Sequence, residues 1–118
     1  MRGRLGEDLA ASYLLLRGFT ILERNAREGP RELDLIASIP GWFVVVEVRL
    51  RADAERGLPE QSIQWRKRQQ LRRAAEARWL RQGRDYGPLR MDMISVLLTP
   101  DGLRLRHYPH FMVPAATR

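Results

Sequence analysis

The sequence predicts a single α/β domain over residues 1–118, a mixed central sheet flanked by helices, with its elements in the order α-β-β-β-α-β-β. Three observations carry this prediction. Leu5–Arg17 and Pro59–Gln82 place apolar residues three and four apart, the spacing of one helical face. Five shorter runs have strand character, and two of the breaks between them, Pro40-Gly41 and Pro100-Asp101-Gly102, are turn signals. At 118 residues the chain has the length of one domain, able to bury a core without metals or disulfides.

In the first helix Leu5, Leu9, Tyr13 and Leu16 form one stripe, widened by Ala10, Ala11 and Leu14, and Gly18 closes it as a C-terminal cap. Glu7 sits at the edge of that stripe; the plain reading is a first-turn glutamate favoured by the helix N-terminus. Phe19–Glu23 is a short strand, and Arg24 to Arg31, with Gly29-Pro30, a polar loop. Glu32–Ala37 and Trp42–Leu50 then pair as a hairpin about Pro40-Gly41. Ala52–Leu58 is a charged surface loop. The second helix begins near Pro59 and stops at Gly83, with Ile63, Lys67, Leu71, Ala74 and Ala75 on one stripe; a lysine there commonly snorkels to the surface, or reaches Glu47 or a phosphate if the helix covers the hairpin. Leu89–Thr99 and Leu103–Tyr108 form a second hairpin, and 109–118 is a terminal segment with little regular structure. Asp92 shares a face with Arg90, Ile94 and Val96 and is a buried polar group or an ion partner for arginine. His107 and His110 receive no role.

Lys and Arg number 21 against 14 Asp and Glu, a net charge of +7 that favours a polyanionic partner, most simply nucleic acid. Twenty of the 21 are arginine, so arginine at any one position says little, whereas Lys67, the one lysine, stands out. The absence of cysteine excludes disulfides, thiolate metal sites and cysteine nucleophiles. No apolar run is long enough to cross a bilayer, so the expectation is a soluble cytoplasmic protein with no membrane partner. On the long helix Arg66, Arg68, Arg72, Arg73, Arg78 and Arg81 alternate with Trp65 and Trp79. They read either as a solvated face with two packing tryptophans or as a phosphate-tracking surface with aromatic contacts.

The hairpin holds the informative chemistry. A turn centred on Pro40-Gly41 sets Ile39 opposite Trp42, Ile36 opposite Val45, Asp34 opposite Glu47 and Glu32 opposite Arg49. Like charges directly opposite, with Cβ atoms about 4.5–5.5 Å apart, are destabilising. Asp34 and Glu47 therefore want a cation between them. A hard divalent ion meets that need, and so does an arginine, either Arg49 or one from the helices; the hairpin leaves both open.

Asp34 followed by Glu47-Val48-Arg49 resembles the PD-(D/E)XK nuclease motif, in which an acidic residue on one strand precedes Glu-x-Lys on the next. A closer resemblance, over nearly the whole chain, is to the YraN family of uncharacterised bacterial proteins, itself similar to the archaeal Holliday junction resolvases. It rests on Gly6-Glu7 with Ala10-Ala11, Gly18-Phe19, Arg24-Asn25-Ala26-Arg27, Glu32 to Ala37, Val45 to Arg49, Lys67 with Leu71 and Ala74-Ala75, and Arg90-Met91-Asp92.

The resemblance implies a restriction-endonuclease-like fold and a Mg²⁺- or Mn²⁺-dependent endonuclease. Glu7, Asp34 and Glu47 would be metal ligands, and Asp34, Glu47, Arg49 and Lys67 catalytic. Arg49 departs from the motif lysine: it keeps the charge but cannot act as a base. Arg31, where the family has Gly, adds a second cation beside the site. Arg31, Arg51, Arg66, Lys67 and Arg68 are the candidate nucleic-acid contacts. The expected substrate is DNA rather than RNA, branched DNA included, with a homodimer suited to a two-fold substrate. The alternatives are a catalytically inactive or weak nucleic-acid-binding module on a nuclease scaffold and, last, a protein-interaction partner.

Overall fold

The Pro40-Gly41 dipeptide turns the chain where the sequence requires it, with Gly41 at φ +89° and Ile39 paired to Trp42. That one turn fixes the register of the central hairpin. In a computed structural model, which describes residues 2–52 and 65–114, the order is α1 (Arg2–Leu16), β1 (Thr20–Glu28), β2 (Arg31–Ile39), β3 (Trp42–Arg51), α2 (Trp65–Arg78), β4 (Leu89–Thr99) and β5 (Gly102–Met112). The strands form one mixed sheet in the order β1-β2-β3-β4-β5, with β3 and β4 parallel and the other pairs antiparallel. A parallel pair needs a long crossover, and α2 lies within it.

Alternation along β3 divides the core. Val44 and Val46 join Ala10, Ala11 and Leu14 of α1, whereas Phe43 and Val45 join Leu71, Ala74 and Ala75 of α2. The sheet is thus covered on both faces, which is why its central strands are so uniformly apolar. At the end of α1, Gly18 takes φ +91°, and the N–H groups of Gly18 and Phe19 donate to the carbonyls of Leu15 and Leu14 at 3.1 and 3.0 Å. This is a Schellman cap, with buried Phe19 and Leu14 as its apolar contact. Gly6, buried earlier in α1, would bring a Cβ within 3.3 Å of the Leu50 Cβ, so its missing side chain lets the helix lie close on β3.

Several boundaries differ from the sequence expectation. The polar stretch after Glu23 is strand as far as Glu28; β1 is an edge strand, and of its nine residues only Ala26 is fully buried. Periodicity is weak in such a strand because one side chain in nine carries the burial. The segment from Pro109 is likewise not irregular through Met112. Strand β5 absorbs a register shift opposite Met91 to Met93, with His110 at φ +55°, and resumes with Met112 paired to Met91. Pro109 is tolerated because β5 is the other edge.

Gly83 is not a positive-φ cap. The chain passes from α2 through a wider π-helical turn, Trp79–Gly83, and a 3-10 turn, Arg84–Tyr86, and Gly83 is there because an added Cβ would lie 2.7 Å from the Phe43 ring. The loop expected over 52–58 and the start of the second helix lie, from residue 53 to 64, outside the described residues. Among the described residues no helix is long and apolar enough to cross a membrane.

Candidate functional site

Three strands with two different loyalties create the site. The β2–β3 ladder ends at Leu35 and Val46, but β2 stays paired with β1 down to Arg31, while β3 stays paired with β4 up to Arg51. The two strands therefore part company just past Leu35 and Val46. The next positions on the two arms are Asp34 and Glu47, at the crotch of the fork. The ladder does not extend to Glu32 and Arg49; Glu32 is exposed and pairs with Arg27 on β1 instead. Alternation also slips here, since Leu33 joins the same core as Ile36.

Where the ladder stops, the Asp34 side chain replaces its next rung: Oδ2 accepts the Val48 N–H at 2.8 Å. The carboxylate is thereby fixed against β3 and hydrogen-bonded to Glu47. Burial raises the Asp34 pKa, against the lowering effect of the Val48 N–H and the Glu47 hydrogen bond. Glu47 is pushed up to about 8, first by burial and then by the charge and hydrogen bond of Asp34. Glu47 therefore keeps its proton near neutrality, hydrogen-bonded to Asp34.

Arginine also faces this pair. Arg31 reaches across the fork, its Nη2 lying 3.4 Å from Glu47 Oε2, and the charges of Arg31 and Arg49 both favour ionised Glu47. Burial and Asp34 still outweigh them. The side chain of Glu47 is 12 % exposed. Part of the arginine network left open by the hairpin is therefore present, through the contact of Arg31 with Glu47.

Glu7 stands in the second turn of α1 rather than its first, because the helix begins at Arg2. It is half-buried and hydrogen-bonded to Asn25; burial, then the charge of Asp34, raises its pKa. Glu7 and Asp34 thus feel one another, and Glu47 feels Asp34. Among the described residues, however, no three carboxylates or histidines stand together as a ready-made metal cage. Asn25, with φ +52° on β1, is a partner that the sequence reading did not single out.

Lys67 reaches the surface. The helical stripe through Lys67, Leu71, Ala74 and Ala75 is covered only from Leu71 onward, and Lys67 is exposed together with Trp65 and Arg66 in the first described turn of α2. Arg51 and Arg68 are half-buried. Arg78 leaves the basic surface altogether: it is 5 % exposed and donates to Glu28 Oε1 at 3.0 Å, Glu23 Oε1 at 2.7 Å and the Arg27 carbonyl at 2.9 Å. It rivets α2 to β1. Trp79 packs, its Nε1 donating to the Gly87 carbonyl at 2.8 Å, whereas Trp65 is 74 % exposed.

A second polar cluster lies on the α1 side of the sheet. Asp92 is fully buried and takes two hydrogen bonds from Arg90, at 2.9 and 2.8 Å, one from the His110 N–H at 3.1 Å, and the contact of His107 Nε2 at 2.7 Å. His107 Nδ1 meets the Tyr13 hydroxyl at 3.1 Å. The histidines thus have a structural partner that the sequence reading did not pair with them. The opposition of Ile94 and His107 across the second hairpin was the available signal.

Fold and site together define an α/β protein with a five-stranded mixed sheet, a helix on each face and a carboxylate pair at a strand fork. The chain belongs to the uncharacterised protein family UPF0102, the YraN family, whose sequence pattern matches residues 6–96. It is 40 % identical over 109 residues to a UPF0102 protein of Pelotomaculum thermopropionicum, covering 92 % of this chain and 90 % of that one. Over 100 residues it is 33 % identical to one of Dictyoglomus turgidum, covering 85 % of each. A Rhodococcus jostii relative is 38 % identical over 97 residues, 81 % of each chain.

Proposed function

We propose that this protein binds DNA in the cytoplasm and hydrolyses phosphodiester bonds at Asp34 and Glu47 with Mg²⁺ or Mn²⁺, on a restriction-endonuclease-like fold. The observation that carries the reading is the contact between these two carboxylates at the fork, with Arg31 and Arg49 beside them. The donor set suits such an ion. Mg²⁺ characteristically keeps several waters and binds through one or two carboxylates plus substrate phosphate, so a two-carboxylate site needs no complete protein cage. Bound there, the ion would activate water and offset charge on the phosphate.

The chain's own groups have separable roles. The Val48 N–H orients Asp34, and Asp34 and Glu47 would hold the ion, with Glu47 giving up its proton to do so. Glu7 adds negative potential through Asp34. Arg49, and Arg31 across the fork, stabilise charge developing on the phosphate; neither guanidinium is a base. Lys67, Arg66 and exposed Trp65 on α2, with Arg51 and Arg68, supply contacts along the phosphate backbone. The excess of 21 basic over 14 acidic residues favours that partner.

One observation favours a second reading. Arg49 stands where the nuclease motif has lysine, which fits a binding module whose chemistry is weak or lost. Incubating end-labelled four-way, flap and duplex DNA in Mn²⁺ with the wild type and Glu47→Gln separates the two. Cleavage by the wild type alone is expected; DNA bound by both and cut by neither would establish the binding module.

A further inference from the structure

Between the Gly29-Pro30 turn that joins β1 to β2 and the flank of α2 runs a groove of about 550 Å³, within the roughly 300–1,000 Å³ typical of small-ligand sites. Pro30 and Ala77 give it apolar walls, and Gln70, Arg73 and Arg31 give it polar ones. Glu28 also lines it, but that carboxylate is already committed, with Oε1 accepting from Arg78 and Oε2 from Arg81. The groove is therefore cationic in effect.

Arg31 connects the groove to the fork. One end of its guanidinium lies 3.4 Å from Glu47, while its Nε–H is buried and has no hydrogen-bond acceptor among the described residues. A buried donor left unmade costs about 1–3 kcal/mol, and Arg31 is one of the residues that line the groove. Arg73 is exposed at the opposite wall. The Gln70 amide offers a donor and an acceptor together, the complement of a base edge, and guanidinium planes and Pro30 offer flat faces.

We propose that this groove receives one unpaired nucleotide adjoining the phosphate presented to Asp34 and Glu47, so that the preferred DNA carries a single-stranded or splayed segment. The substrate assignment rests on reading the carboxylate pair as nucleolytic. A base seated between a turn and a helix has left the duplex stack, and only a strand already unpaired reaches it without the cost of unstacking. Continuous duplex would engage the basic surface and leave the groove empty.

Fluorescence anisotropy in EDTA, with labelled DNA of one length either blunt or bearing a single-stranded 5′ tail, tests this without cleavage. The wild type should bind the tailed DNA about tenfold more tightly, the scale of one seated base. Gln70→Ala removes the edge contact and Ala77→Leu fills the groove; each should abolish the preference and leave blunt-duplex affinity within about twofold. Circular dichroism of both variants keeps misfolding from imitating the result. Equal binding of the two DNAs by the wild type, no DNA binding at all, or a preference that survives both substitutions would overturn the groove assignment. A tail preference in a protein that cuts nothing would retain the groove and refute only the nuclease.

Discussion

Glu47→Gln should raise the thermal stability of the metal-free protein far more at pH 8 than at pH 5. The reason is the proton that Glu47 holds against Asp34. The folded-state pKa of Glu47 is raised to about 8, whereas the unfolded chain gives up that proton near the usual ~4.3. The folded protein thus binds the extra proton over the interval between, so the stability contribution is full below about pH 4 and lost as pH rises through about 8. The loss therefore grows steadily from about pH 4 to about pH 8. A glutamine amide makes the same hydrogen bond to Asp34 and never ionises. Thermal melts of both proteins in EDTA from pH 5 to 9 check this; a wild type that gains stability over that range relative to the variant would contradict the shared proton.

Asp92→Ala should destabilise the protein by about 3–5 kcal/mol, the cost of removing one member of a buried ion pair and leaving its partner uncompensated. Asp92 has no exposure, and the Arg90 side chain, only 12 % exposed, would keep its charge without its carboxylate. The His110 N–H would lose its acceptor as well. Such a loss is a large fraction of the ~5–15 kcal/mol that holds a domain folded. The same group gives an acid limb of opposite sign to that of Glu47. Burial acts to raise the Asp92 pKa, but hydrogen bonds from His107, Arg90 and the His110 N–H outweigh it and hold the carboxyl below its usual range. Its contribution is present above the unfolded value near 3.9 and disappears as pH falls through the lower folded one. Urea denaturation at pH 7 measures the first effect; a change under about 1 kcal/mol would mean that the cluster is held by packing alone.

The central hairpin could be read from the sequence because two strong constraints agree there. A two-residue turn and a period of two leave one register, and a shift by a single residue would have put Val44 and Val46 in the wrong core. That is why the nearness of Asp34 and Glu47 was available from the sequence, although the ladder itself stops one pair short of them. The fork was not, because it depends on β1 and β4 pulling their neighbours apart, a property of the whole sheet. Arg31 is the clearest consequence. As a residue before an acidic run it looked like one more cation, and only the divergence of the strands turns it toward Glu47 and the groove at once.

Edges and ends were harder for a related reason. Arg24, Asn25 and Arg27 look like loop because an edge strand under a helix needs only Ala26 inward, and its ion pairs, Asp8 with Arg24 and Arg78 with Glu23 and Glu28, come from distant residues. Lys67 obeyed the helical period, but the period states a direction and not whether anything lies in it. At the first described turn of α2 the side chain stays in solvent.

The most direct test of the carboxylate pair is calorimetric titration of Mn²⁺ into the wild type and Asp34→Asn at pH 7, repeated in two buffers of different ionisation heat. A cation that displaces the shared proton releases close to one proton per ion bound, and Asp34→Asn should lose the binding. Binding with no proton release, or equal binding by Asp34→Asn, would place the ion elsewhere and contradict a metal site at the fork.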